Sequence, residues 1–416
     1  MAAFSIAMVA ACPFPANHGT PAAIKEMSEA LARRGHSIRI VTYPLCDSTP
    51  VAAIPIDRVR QIGWNRDVSV GPNYRRLLFD LLLVPKLFQV VRRHQIELIH
   101  AHNYEAALVG GVVGWLTGVP VIYNAVNTMI SELPSFGFIR PRLLAVGSAR
   151  MLDHIVPRMA DLIVADTEEL RSFLLTHGIH PKRVVTIPSG VWPEMFATGD
   201  GSQTRARFGA TGGPLIIYTG TFDQFQGIDY LMRAFKIVQE CRPTASLLLV
   251  GSTVKTRDLL KYEKMAADLG FASRFATTSS GLDQLPDFLA AADVAVVPRP
   301  ESPGIPTKLL NYMAAGNAIV SFKGSGRILQ HGETAFLVEP ATAEGLAAGI
   351  LTVLGDPVLA GRLRSNVRKF VHGRFDWPSI ALRLEAIYAG VLNQAPRVLT
   401  RPEPIPSRLT STDHGN

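Results

Sequence analysis

The stretch FSIAMVAACPFPANHGTPAAIKEMSEALARRGHSIRIVTY, Phe4 to Tyr43, decides the fold. An apolar run, FSIAMVA, gives way to a Gly/Pro-punctuated loop, a helical segment from Ala22 to Arg34 that Gly35 ends, and a second apolar run, SIRIVTY. That order predicts a β-α-β unit. Outward from it the alternation continues with ELIHAHN, VPVIYNAV, LIVADT and VVTIPSG, each followed by polar or Gly/Pro punctuation and mostly by a helix. The second half repeats the design with PLIIYTGT, ASLLLVGS, Ala291 to Pro298, NAIVSF and AFLVEP. Strands alternating with helices predict parallel, doubly wound sheets covered on both faces. The expected fold is therefore α/β, with two Rossmann-like domains in tandem, residues 1–191 and 214–374, facing a central cleft. The joint is expected at residues 192–213, which are polar and rich in glycine. Residues 394–416, rich in Pro, Ser and Thr, are expected to be disordered.

Composition agrees with two domains. A chain of 416 residues exceeds one compact core, so two units of roughly 180 residues each are the prior. With 47% hydrophobic and 18% charged residues the chain is globular, and no uncharged apolar run reaches the ~20 residues that span a bilayer. The start, MAAFSIAMVAACPFP, lacks the basic region of a signal peptide and reads as the first strand. Cys12, Cys46 and Cys241 are odd in number and widely spaced, which argues against a disulfide framework or a zinc site and fits a reducing cytoplasm.

The net charge of +8 is unevenly placed: residues 58–93 hold eight basic residues, among them Arg66, Arg75 and Arg76, against the two acids Asp67 and Asp80. Within them RRLLFDLLLVPKLFQVVRRH suits contact with an anionic membrane surface. A core helix with solvated basic ends is the alternative, in which Leu77, Leu78, Leu81, Leu82 and Phe88 face a sheet. Nucleic acid is not an expected partner, because aromatic residues do not interleave with the basic ones.

Open parallel sheets bind ligands beyond the carboxyl ends of their strands. No GxGxxG follows the first strand and no GxxxxGK[ST] occurs. The segment VVPRPESPGIPTKLLNYMAAGNAIVSF, Val296 to Phe322, instead places Glu301, Gly304 and Lys308 between a strand end and a helix from Thr307 to Ala315. A lysine in a first helical turn opposes the macrodipole unless an anion lies between it and the amides, so an anion site is expected there; the alternative is a surface lysine after an ordinary loop.

In their order and spacing, several segments together resemble the retaining, metal-independent glycosyltransferases of family 4, which have the GT-B fold. They are PANHGTPAAIKEMSEALARRGHSIRIVT, IHAHNYEA, GVPVIYNAVN, DLIVADTEEL, RVVTIPSGV, YTGTFDQFQGIDYLMRAF, LLLVGS, GIPTKLLNYMAAGNAIVS and GETAFLVEP, covering Phe4 to Leu392. The resemblance implies a helix at 375–393 crossing back to the first domain. It implies transfer of a sugar from a UDP- or GDP-linked donor to a hydroxyl acceptor, a lipid-linked or surface glycan, with no metal ligands and no cofactor. It places Gly19, Thr20, Gly220, Thr221, Gln226, Gly304, Ile305, Pro306, Thr307 and Asn311 at the donor, Glu301 and Lys308 at the reacting centre, and His102 and Asn127 on the acceptor side.

The chain also departs from the family pattern. Thr221 and Gln226 stand where an arginine and a lysine are common, Pro303 and Asn311 where two glutamates are, and Val126 where a histidine usually meets the donor sugar. Lys308 is then the one strong cation expected at the diphosphate. These joint departures leave open a weakly catalytic binding or scaffold subunit, and a sugar-nucleotide epimerase is a further alternative.

Overall fold

The computed structural model describes residues 3–16, 19–46, 53–61, 77–136, 141–251, 256–279, 281, 283–302 and 304–394. Arg66, Arg75, Arg76, Asp67, Pro303 and the expected tail from residue 395 lie outside the described residues. The first sheet is built from β1 (Ser5–Ala10), β2 (Ser37–Thr42), β3 (Ile56–Arg58), β4 (Leu98–His102), β5 (Val121–Ala125), β6 (Leu162–Ala165) and β7 (Val184–Thr186). The second contains β8 (Leu215–Gly220), β9 (Ser246–Gly251), β10 (Phe275–Ser279), β11 (Val294–Val297), β12 (Ala318–Phe322) and β13 (Phe336–Val338). Their orders are β3-β2-β1-β4-β5-β6-β7 and β10-β9-β8-β11-β12-β13, with parallel pairing throughout.

In the first domain the helices are α1 (Gly19–Arg33), α2 (Leu77–His94), α3 (Asn103–Thr117), α4 (Met129–Phe136), α5 (Arg142–Ile155) and α6 (Glu168–Thr176). Then follow α7 (Gly201–Arg207), α8 (Ile228–Cys241), α9 (Thr256–Asp268), α10 (Leu285–Ala291), α11 (Thr307–Ala315), α12 (Ala343–Gly355), α13 (Pro357–Val371) and α14 (Trp377–Gln394). The central strands are buried on both faces, as continuous apolar runs require: β9 and β12 are buried at every residue. Edge strands β3 and β10 were not expected. They are partly exposed and lack an apolar run, so their residues carry no strand signal of their own.

The segment 192–213, expected as a polar linker, is structured. Here α7 packs on α10, Arg205 pairs with Asp293 at 2.5 Å, and a Cβ on Gly201 would lie 2.4 Å from the Ala291 backbone. Gly199, Gly201 and Gly213 serve close packing, each leaving no room for a Cβ. The chain returns through Val191, whose amide and carbonyl bond Phe375 and Trp377. Helix α14 then buries Trp377, Ile380, Leu384 and Tyr388 with Ile6, Met8 and Ile24 of the first domain. Helix α2 also corrects an expectation: Phe79, Leu83, Leu87, Val90 and Val91 face the core, whereas Leu77, Leu78, Leu81 and Phe88 are exposed.

Candidate active site

Both sheets reverse strand order beside a central strand, β1/β4 in the first and β8/β11 in the second. Such a switch point opens a crevice at the carboxyl ends. Gly220 ends β8 at φ +131, and a Cβ there would lie 3.0 Å from Lys308 Nζ. Glycine at this position lets the lysine of α11 cross the end of the strand.

Lys308 is 8% exposed. Its Nζ donates to the Tyr218 hydroxyl at 2.6 Å and to Gln226 Oε1 at 2.8 Å, and lies 4.0 Å from the Tyr218 ring centroid. Tyr218 in turn donates to the Thr221 carbonyl, and Gln226 Nε2 to Thr221 Oγ1 at 3.2 Å. Tyr218, Thr221, Gln226 and Lys308 thus form one network of neutral groups around a single amine. Burial, and then the charge of Arg299, pushes the Lys308 pKa well below its usual value, opposed by Asp223. An ammonium without a contacting carboxylate is suited to an incoming anion.

Sequence reasoning missed Arg299 as a cation, although it lies just beyond β11. Its Nε donates to the Glu301 carbonyl at 2.6 Å and its guanidinium stacks on Phe225 at 4.8 Å, in the loop that also carries Thr221 and Gln226. Burial lowers its pKa, opposed by Glu132 and Tyr218. Glu132, on α4 of the other domain, is raised chiefly by burial, while a hydrogen bond from Asn127 and the charge of Arg299 lower it. Lys308 is therefore not the sole cation here. Asn127, expected on the acceptor side, holds the carboxylate that faces Arg299.

The GIP segment differs from expectation. Pro306 has no N–H and presents no donor to an anion, and the Ile305 amide lies beside Asp166 of the first domain, whose pKa it lowers. A Cβ on Gly304 would lie 3.2 Å from the Val126 carbonyl and 3.6 Å from Asp166 Oδ2, so this glycine permits the two domains to touch. Asp166 also accepts from Ser189 N at 2.6 Å; burial nevertheless raises its carboxyl to about 6. Thr307 is exposed at the helix start, and Asn311 is half-buried one turn on. The crevice beside them is lined by Thr167 and Glu169 from the first domain and Ser302, Gly324, Ser325 and Arg327 from the second.

Two expected residues lie elsewhere. Glu301 is exposed, with its carboxylate 3.6 Å from Arg327 rather than turned into the network. His102 is 2% exposed and stacks on His100 at 4.5 Å, and His100 meets Tyr388 of α14 at 2.8 Å. Alternation along β4 puts both histidines on the sheet face that α14 covers, so His102 is a core residue rather than an open cleft group. Burial holds both well below the usual histidine range. Gly19, with φ +44 and open space around it, and the half-buried Thr20 start α1 without an acid in the first turn. Among the described residues no group of three His, Cys, Asp or Glu could hold a metal ion.

Residues 18–190 match a family described as glycosyl transferase 4-like domain, and residues 213–356 one described as glycosyl transferases group 1. D-inositol 3-phosphate glycosyltransferase 1 of Catenulispora acidiphila is 27% identical over 369 residues, covering 84% of this chain and 82% of that protein. Among solved structures, sucrose-phosphate synthase from Thermosynechococcus elongatus superposes with a TM-score of 0.77 at 20% identity, covering 94% of this chain and 99% of that one. Anabaena Alr3699/HepE in complex with UDP gives 0.72 at 18% identity, covering 93% and 100%.

Proposed function

We propose, for a chain that belongs to the group 1 glycosyltransferases and has their GT-B fold, that it moves a sugar from a nucleoside-diphosphate sugar to a hydroxyl acceptor with retention. The observation that carries this reading is Lys308: a buried amine among neutral partners at the switch point, with Arg299 close by. The donor is UDP- or GDP-linked, and the UDP held by the HepE structure favours testing UDP first.

In the proposed step the bond from the sugar's anomeric carbon to the diphosphate oxygen breaks, and a bond to the acceptor oxygen forms on the same face. The acceptor proton passes to the departing phosphate oxygen. Lys308 and Arg299 stabilise the charge that develops on the diphosphate, while Gln226 and Thr221 orient Lys308. This reaction uses no cofactor beyond the donor. The acceptor in this reading is a lipid-linked or surface glycan, met from the cytoplasm at the inner face of the cell membrane.

Calorimetric titration with UDP and with GDP tests the donor assignment. Lys308→Ala is expected to weaken binding on the order of 10- to 100-fold, the loss of one charge-assisted hydrogen-bonding centre. If neither diphosphate binds at millimolar concentration, the assignment falls. Turnover of a nucleotide-sugar by the isolated chain, with acceptor-dependent release of the diphosphate, separates transfer from a scaffold role; C2 inversion of the free donor would instead mark an epimerase.

A further inference from the structure

The outer layer of the first domain exposes large apolar side chains on three neighbouring helices: four on α2, three on α3 and four on α5. Trp115 and Leu143 are each 83% exposed and Leu81 70%. The three helices share one sheet face, for Leu83, Val113 and Leu152 all reach the same core cluster, whereas α1 and α14 cover the opposite face. Helix α2 packs directly on α3, and the short turn at residues 156–159 bridges α3 to α5. Exposed apolar side chains in this number on neighbouring helices are rare on a protein that meets only water.

On α2 and α5 the exposed charges have one sign. Arg92, Arg93, Arg142 and Arg150 are exposed on α2 and α5. Each of those helices has a single acid, and both acids turn inward, Asp80 onto the Tyr43 hydroxyl and Asp153 onto the Tyr104 hydroxyl and the Met129 and Ile130 amides. A second copy docked symmetrically would bring arginine against arginine, whereas an anionic surface meets them favourably. Among the described residues no single helix is long and apolar enough to cross a membrane, so the contact lies along the surface.

We propose that the outward side of α2, α3 and α5 is a docking face for an anionic lipid bilayer, into which Leu81, Trp115 and Leu143 insert while the arginines meet the headgroups. Because α2 and α3 each lead back to a parallel strand, their N-terminal turns stand at the carboxyl edge of the sheet, the edge that borders the cleft. Leu77 and Leu81 are in those turns, so docking brings the cleft beside the lipid. The inference stands apart from the donor assignment, which concerns the other domain.

Co-sedimentation of the full chain with vesicles of equimolar phosphatidylglycerol and phosphatidylcholine tests it, with phosphatidylcholine alone as the comparison. Partition is expected onto the anionic vesicles, falling as salt rises. Leu81→Ser/Trp115→Ser/Leu143→Ser is expected to lower it about tenfold or more, with the thermal midpoint and UDP titration unchanged. Arg92→Glu/Arg93→Glu, which touches no core residue, is expected to abolish the preference for anionic lipid. No partition at low salt, unchanged partition of the triple-serine variant, or conversion of a solution dimer to monomer by that variant would each overturn the proposal, the last assigning the face to a second copy. UDP binding on the same samples keeps this result distinct from that of the donor reading.

Discussion

Lys308 keeps its amine among the Tyr218 hydroxyl, the Gln226 side chain and the Tyr218 ring, none of which carries a charge. Its depressed pKa has a consequence for ligand binding. A diphosphate restores the pKa toward the ordinary lysine value, so binding takes up a proton wherever the free amine is partly neutral, and affinity falls as pH rises. Titration of UDP between about pH 6 and about pH 9, in buffers of different ionisation enthalpy, should show that sign. Arg299→Ala is expected to weaken UDP by about 10-fold or more, because the guanidinium beside the amine supplies the second cation. Equal affinity for wild type and variant would remove Arg299 from the site. Of these residues Lys308 was legible in the sequence, since a lysine after Gly-Ile-Pro-Thr stands at a helix start whatever the rest of the fold does. Arg299 was not, because its proximity to Lys308 depends on the crossing of α11 over β8 and its neighbour Glu132 comes from the other domain.

At the scale of elements, the buried strands were readable because each is an apolar run that must lie between two helical layers. The short edges β3 and β10 and the helix α7 were not, for their signals are polar and their reasons are tertiary. The docking of α14 was foreseen from family resemblance, but not its polar anchors. Trp377 Nε1 donates to Glu26 Oε2 at 2.6 Å, Arg34 pairs with Glu385 at 2.5 Å, and His100 meets Tyr388. Burial raises the Glu26 carboxyl from 4.5 to about 7, against the Trp377 hydrogen bond. The folded protein therefore binds this proton more tightly than the unfolded chain, so the group's contribution to stability is present at low pH and is lost as pH rises through about 7. Glu26→Gln keeps an acceptor for Trp377 without the buried charge. Near pH 8 it should be more stable than wild type by about 1–3 kcal/mol, with the gap closing as pH falls toward 4.5. Thermal midpoints across that range check it, and a gap independent of pH would exclude Glu26 as its source.

Across the whole molecule the two domains meet where sequence reasoning placed only an anion. Just before α11, Gly304 sits against the Val126 carbonyl and the Asp166 carboxylate at the end of β6, and the Ile305 amide beside it lowers the Asp166 pKa. One carboxylate of the first domain thus lies against the loop that leads into α11, and an anion approaching the Ile305 amide meets its charge. Asp166 is also held by the Ser189 amide, so a neutral isostere can keep its place while accepting more weakly. The raised pKa means that burial disfavours the charged carboxylate by more than its hydrogen bonds favour it, so a neutral side chain relieves the contact. In Asp166→Asn, exchange of the Ile305 amide above about pH 6 is therefore expected to slow by about tenfold, a difference near 1.4 kcal/mol, while amides of β1 and β9 at the sheet centres are unchanged. Acid should imitate the substitution in wild type: as pH falls through about 6 the buried carboxyl takes up its proton, the cost of burying its charge is relieved and the domain contact tightens. After correction for intrinsic exchange, the Ile305 amide of wild type should therefore become more protected on acidification while that of the variant stays constant. If both respond to acid alike, Asp166 does not govern the contact between the two domains.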